Sequence, residues 1–221
     1  MKFDTAELLA ALPQVVAGLL TTVYLVATAL VIGVSIGLVV CAGRLMGHGP
    51  LAWLAKGYVD MFRGLPETIL IFWVYFCGPF VLEARLSAFA SGVLSLSLIA
   101  GAHLGEIFRA GVLAVPVGQR DAAKALGLAL FPMLAFVIGP QAFRIMLPAF
   151  FSHLTILIKN SAIVSAVGVA ELFYVGNTIA NDNFKHFEVY TAIGLMYFAI
   201  ILPLSIASKR LESGLAVGRP T

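Results

Sequence analysis

The polar residues of this chain are few and they cluster. Gly118-Gln119-Arg120-Asp121-Ala122-Ala123-Lys124-Ala125-Leu126-Gly127 places two bases and an acid on a short Ala-rich stretch with a glycine near each end, the pattern of a small amphipathic helix set between chain reversals. Such a helix offers charge on one side to a partner and small apolar groups on the other for close packing. Glu106 and Arg109 stand three apart, on one helical face, where they can pair. His103, one turn earlier, and Glu67, just past Pro66, lie in apolar surroundings, where a polar group turns to the protein interior or to water rather than to lipid. Lys159-Asn160-Ser161 is a further polar cluster. Glu67, His103, Lys159, Asn160 and Ser161 are therefore the candidate residues of a polar pathway or solute site.

The chemistry absent from the sequence narrows the function. It contains no G-x-x-x-x-G-K-[ST] phosphate loop, no metal-ligand cluster and no nucleophile beside a base, so the expectation is a chain that is not an enzyme and binds neither metal nor cofactor. Cys41 and Cys77 follow no metal or redox spacing and read as small buried hydrophobes. The formal charge of +3 comes without a basic run, which argues against a nucleic-acid partner.

These clusters must be positioned by helices in a bilayer. Of the 221 residues 61% are apolar and 11% charged, against about 45–50% and 25% in soluble domains. At about 20 residues per crossing the length allows five or six spans. Charge-free runs and their polar ends place spans at 15–42 (after Pro13), 61–82, 86–109, 141–163 and 189–208. Pro132, Gly139 and Pro140 break the apolar run 125–143, so 116–140 reads as a loop with short helices rather than a crossing. The expectation is one all-helical integral membrane domain, 1–221, with five spans. The N-terminal residues, with Asp4 and Glu7 beside Lys2, lack the basic start of a signal peptide.

Five crossings put the termini on opposite sides. With the C-terminus in the cytoplasm, Arg44, Lys56, Arg63, Arg109, Arg120, Lys124, Arg144, Lys209, Arg210 and Arg219 lie inside, and Lys2, Arg85 and Lys185 outside, as the positive-inside rule requires. Arg63 and Arg144 then read as anchors at cytoplasmic helix ends. Glu171, Asn177, Asn181, Asp182, Asn183, Lys185 and His186 form a polar outer loop, either a solvated connection or a docking surface.

Asp121-Ala122-Ala123, then Gly127, then Val137-Ile138-Gly139-Pro140 resembles the EAA loop of the permease subunits of bacterial ABC importers. Gln119, Pro140-Gln141-Ala142-Phe143-Arg144, Phe62-Arg63-Gly64-Leu65-Pro66, Glu106-Ile107-Phe108-Arg109-Ala110-Gly111 and Lys159-Asn160-Ser161 look like the polar amino acid branch of that family. The departures are Asp121 for the usual Glu, Gly139 for Leu, Leu65, Glu67 and Leu70 within the branch's R-G-T-P-L-x-x-Q pattern, Ala162 for a frequent serine, and His103 for a common aromatic.

The resemblance implies a type I importer permease fold in the bacterial inner membrane. It implies two permease chains, identical or homologous, around the pathway, and two copies of an ATP-binding subunit that use ATP and Mg. An extracytoplasmic binding protein would deliver a polar amino acid. Gly118, Gln119, Arg120, Asp121, Ala122, Ala123, Gly127 and Pro140 would couple the spans to the ATPase. Arg120 and Asp121 would be its polar contacts, the alanines would allow close packing, and the glycines and proline would shape the loop. Glu106 and Arg109 would be a gating ion pair. The alternative from another class is a secondary transporter driven by an ion gradient, which would show internal repeats or interrupted helices with carboxylates at membrane depth.

Overall fold

The computed structural model describes residues 5–83 and 85–216, with side chains from residue 12 to 214 except those of residues 82 and 84. Lys2 and Arg219, used above to orient the chain, lie outside the described residues. Among the described residues all regular structure is helical. Four helical stretches are long and apolar enough to cross a bilayer: Leu12–Leu45, Ala88–Leu113, Leu130–Val167 and His186–Gly214. A fifth crossing is available if the pair Pro50–Gly64 and Glu67–Val81, bent by 105° at their junction, is one broken span.

Ala88–Leu113 is the central element, buried over most of its length. It packs along the first helix, Thr5–Leu45, because both are notched by small residues four apart. A Cβ on Gly37 would meet Leu104 Cβ at 3.0 Å, and one on Gly105 would meet Val40 Cγ1 at 2.6 Å. Inside lipid no hydrophobic effect drives helices together, and this close approach supplies the dispersion contacts that do. The resulting core includes Leu25, Ala29, Leu96, Ala100 and Leu104, all at 0–1% exposure.

Two sequence-based boundaries need correction. The second span was expected as one helix over 61–82, but the helix begins at Pro50 and ends at Gly64. Leu65 is extended (φ −84, ψ 138), as the residue before a proline prefers, and Pro66 starts the next helix, Glu67–Phe72. That helix continues through a π-helical turn, Trp73–Cys77, and Gly78–Leu82. The lower half escaped the hydropathy reading because Lys56, Asp60 and Arg63 interrupt its apolar sequence; all three are exposed in the isolated chain.

The fourth span was expected to start at 141 after a broken loop over 116–140. Instead, a continuous helical stretch runs from Leu130 to Val167, and the connection before it is correspondingly shorter. Pro132 sits in the first turn, where a missing N–H removes no helical bond, and the π-helical turn Met133–Ile138 accommodates Gly139 and Pro140 at the start of Gly139–Asn160. Smaller differences run the same way. The first helix continues through Pro13 from Thr5, the third extends to Leu113, and the last covers His186–Ala216.

Candidate functional site

The expected coupling residues form a helix, Val117–Ala125, between the central helix and the fourth span. Ala123 is the side chain that anchors it. At 3% exposure it packs with Val115, Met133, Ile138 and Ala142, so the helix rests on the base of both neighbouring spans. Gln119, Asp121, Ala122 and Lys124 face outward, and among the described residues neither Asp121 nor Lys124 has an ion pair. Arg120 is turned inward: its guanidinium donates to the Val112 carbonyl, tying the coupling helix to the end of the central helix. Within the chain it acts as a brace, and its side chain is half-buried. Gln141 donates to the Val137 carbonyl at 2.9 Å and reaches Gln119 Oε1 at 3.4 Å.

The two glycines differ. Gly127 has φ +73 and closes the helix in the left-handed region, whereas Gly118 lies within the helix with open space around it and no such demand. Pro140 is exposed at the first positions of its helix.

Glu106 and Arg109 pair as expected, with Arg109 Nη2 2.7 Å from Oε2 and Nε 3.0 Å from the same oxygen. The sequence reading missed a third member. Arg44, in the last turn of the first helix, donates through Nε to Glu106 Oε1 at 3.0 Å. One carboxylate therefore holds two guanidiniums and joins the first helix to the central one. Local i,i+3 spacing reveals only Arg109; Arg44 comes from another helix, and its position after a long apolar run marks a helix end without naming a partner.

The candidate pathway residues divide. His103 stacks on His153 of the fourth span, with ring centroids 5.1 Å apart and planes 27° apart. His153 is 6% exposed and its Nε2 has no hydrogen-bond partner. The sequence reading did not single out His153; its only signal was a histidine inside an apolar helix. His103 also lines a cleft of about 420 Å³ together with Arg63, Glu106, Gly111, Ile145 and Met146.

Arg63 was expected at a cytoplasmic helix end, but the break after Gly64 is level with the middle of the central helix. Tyr58 donates to the Leu98 carbonyl at 2.6 Å and Phe62 packs against Leu70, Val74 and Ile99. Irregular backbone at such depth occurs where it is enclosed by protein or lines a cavity.

Glu67 opens the upper half of the broken span, and that half packs against the 3₁₀ turn Ser161–Val167. The elements bearing Glu67 and Ser161 therefore meet. No hydrogen bond or ion pair links Glu67 with Lys159, Asn160 or Ser161 among the described residues. Ser161 is buried and donates to the Ile158 carbonyl, and Lys159 is exposed.

At the other end, the polar outer segment is a helix, Leu172–Asn183, and Glu171 is not a solvated part of it. Fully buried, it caps the helix by accepting from the Tyr174 and Phe173 amides at 2.7 and 3.0 Å, and it accepts from Tyr197 Oη at 2.8 Å. Burial pushes its carboxyl above the usual range, against the downward pull of these bonds.

The family model described as binding-protein-dependent transport system inner membrane component matches residues 33–217. The glutamine transport system permease protein GlnP of Escherichia coli (strain K12) is 32% identical, with 96% of this chain and 97% of that one covered. The glutamate/aspartate import permease protein GltK of Escherichia coli O157:H7 and the arginine transport system permease protein ArtQ of Bacillus subtilis (strain 168) are each 31% identical at the same coverage. A chain from the crystal structure of an amino acid ABC transporter with histidines superposes with a TM-score of 0.87 at 31% identity, covering 96% of this chain and 99% of that chain. A chain of the inward-facing MetNI methionine ABC transporter shares the fold, with a TM-score of 0.73 at 20% identity, covering 98% and 100%.

Proposed function

Because the chain belongs to the family of binding-protein-dependent transport system inner membrane components, we propose that it is the permease through which an ABC importer passes a polar amino acid into the cytoplasm. The observation that carries this reading is the helix Val117–Ala125. It is seated by Ala123 on the bases of two spans, braced by Arg120, and turns Asp121 and Lys124 outward.

A rigid knob of this kind can dock in a groove of a separate ATPase. Movement of the ATPase pair is then passed through Ala123 and Arg120 to the central helix and the fourth span. ATP and Mg are used by two copies of that subunit, a second permease chain completes the pathway, and a binding protein delivers the solute outside. The N-terminus lies outside and the C-terminus inside, an orientation supported by the bases Arg44, Lys56, Arg109, Arg120, Lys124, Lys209 and Arg210 against Arg85 and Lys185. The relatives' names, covering glutamate/aspartate, glutamine and arginine, support the amino acid class and leave its member open. Glu106, with Arg44 and Arg109, is proposed as the clamp that holds the first helix to the central one during the cycle.

The test is ATP hydrolysis in proteoliposomes containing this chain with the ATPase, permease and binding protein encoded beside it. Stimulation by a binding protein loaded with an amino acid is expected. Uptake that follows an ion gradient and ignores ATP would replace this reading with a secondary transporter.

A further inference from the structure

Where the second span breaks, Arg63 below the break and His103 on the central helix line one cleft, and His153 of the fourth span stacks on His103. We propose that Arg63 and His103 form a subsite for a carboxylate of the solute, with His153 as the residue that positions His103. The proposal rests on the transport reading above and adds the chemistry of one group within the pathway.

Charge balance in the cleft carries the argument. Its one carboxylate, Glu106, is already engaged at both oxygens by Arg44 and Arg109. Arg63 makes no ion pair or hydrogen bond among the described residues, and His103 makes only the ring contact with His153. The uncommitted groups are therefore donors, and no acidic acceptor is left in the cleft for an ammonium. An anion that enters finds a guanidinium fork matched to a carboxylate and an imidazole beside it.

Ionisable groups within membrane-spanning helices are costly and mark solute pathways by default, and among the described residues neither Arg63 nor His103 has an ion pair or hydrogen bond that would account for its place in the cleft. His153 is enclosed and its Nε2 is unsatisfied, so it cannot meet a solute directly. Its ring lies against His103 and fixes the plane in which the latter presents its nitrogen. Met146 and Ala149, two turns and one turn before His153 respectively, line the cleft, so the fourth span also forms part of its wall.

A carboxylate can come from two parts of an amino acid, the α-carboxylate common to all or the side chain of an acidic one. The experiment separates them. The complex with its ATPase, second permease and binding protein is reconstituted, and uptake of labelled glutamate, glutamine and arginine is measured for the wild type, Arg63→Gln and His103→Phe. The phenylalanine keeps the stacked ring and removes the donor.

A rise in KM of about ten- to a hundredfold for every transported amino acid assigns the subsite to the α-carboxylate; the same rise for glutamate alone assigns it to the side chain. His153→Ala should raise KM without lowering kcat, and His153→Phe, which restores the stack, should restore KM. Unchanged KM in both Arg63→Gln and His103→Phe, alongside normal wild-type uptake, overturns the subsite and leaves the transport reading standing.

Binding of the same labelled amino acids to the purified complex without ATP is measured in parallel. Should the wild type take up none of them yet bind one in a manner lost in Arg63→Gln, the transport reading fails and the subsite survives. Absence of both uptake and binding removes both.

Discussion

The coupling helix and the broken second span both carry charge on a membrane protein, and they treat it in opposite ways. In Val117–Ala125 the charges of Asp121 and Lys124 face outward with no ion pair among the described residues, and the helix is held by one small buried side chain, Ala123, and one inward base, Arg120. At the break, Arg63 and His103 line a cleft between helices, and His153, enclosed behind His103, stacks on it. A charge at the membrane surface can be left to solvent until a partner arrives. One at membrane depth persists only where the fold encloses it or a solute uses it. What a side chain faces therefore separates the docking surface from the pathway more cleanly than its chemical type.

The sharpest way to break this comparison is to reverse one outward charge. Asp121→Lys should abolish amino acid uptake and co-purification of the ATPase while leaving insertion and thermal stability unchanged, because its side chain is exposed and makes no ion pair among the described residues. A variant that still transported would mean that the coupling surface lies elsewhere. Glu106→Ala, a few turns away, should do the reverse. It leaves Arg44 and Arg109 facing each other without their shared carboxylate, and the expected loss is about 2 kcal/mol of stability, between the values for exposed and buried pairs. Thermal unfolding in detergent measures it. ATPase co-purification should persist at permissive temperature; its loss there would make the Glu106 cluster part of the docking surface.

The coupling loop was legible because its residues are contiguous. Asp121-Ala122-Ala123, Gly127 and Pro140 form a pattern within one stretch of chain, and Glu106 and Arg109 are one helical turn apart. Composition and charge-free runs located the crossings, yet they misplaced two starts. At Pro50 a charged face on Lys56, Asp60 and Arg63 masked a helix, and at Leu130 a π-helical turn accommodated a proline that sequence reasoning treats as a break.

Residues joined only by folding were not legible. Arg44 meets Glu106 from another helix, His153 meets His103 across two spans, and Glu171 owes its burial to Tyr197 and the first helix. Each looked ordinary in its own neighbourhood. The inward turn of Arg120 was hidden as well, since helical spacing gives its face approximately and not the carbonyl it reaches.

Glu171 extends the comparison to the outer end, where a buried acid is satisfied within the chain and does not wait for a ligand. Burial raises its carboxyl above the unfolded value. The contribution it makes to holding Leu172–Asn183 is therefore complete below the unfolded pKa and is lost as pH rises through the higher folded one. Hydrogen exchange in that helix, corrected for intrinsic rate, should speed up over that window, and Glu171→Gln should remove the dependence. Exchange in Val117–Ala125 under the same conditions provides the contrast, since none of its outward charges is enclosed.

The smallest expected effect separates shape from charge within the coupling loop itself. Gly127 holds φ +73, a region where a Cβ costs about 1 kcal/mol, whereas Gly118 sits in helical backbone with nothing near the place of a Cβ. Gly127→Ala should destabilise the turn by that amount and lower coupling efficiency, read as ATP hydrolysed per amino acid taken up. Gly118→Ala should stabilise the isolated helix by about 0.5–1 kcal/mol. If Gly118→Ala nonetheless uncouples transport, the open space beside it is where a partner backbone approaches, and the docking surface extends one turn further toward Pro116 than the outward charges mark.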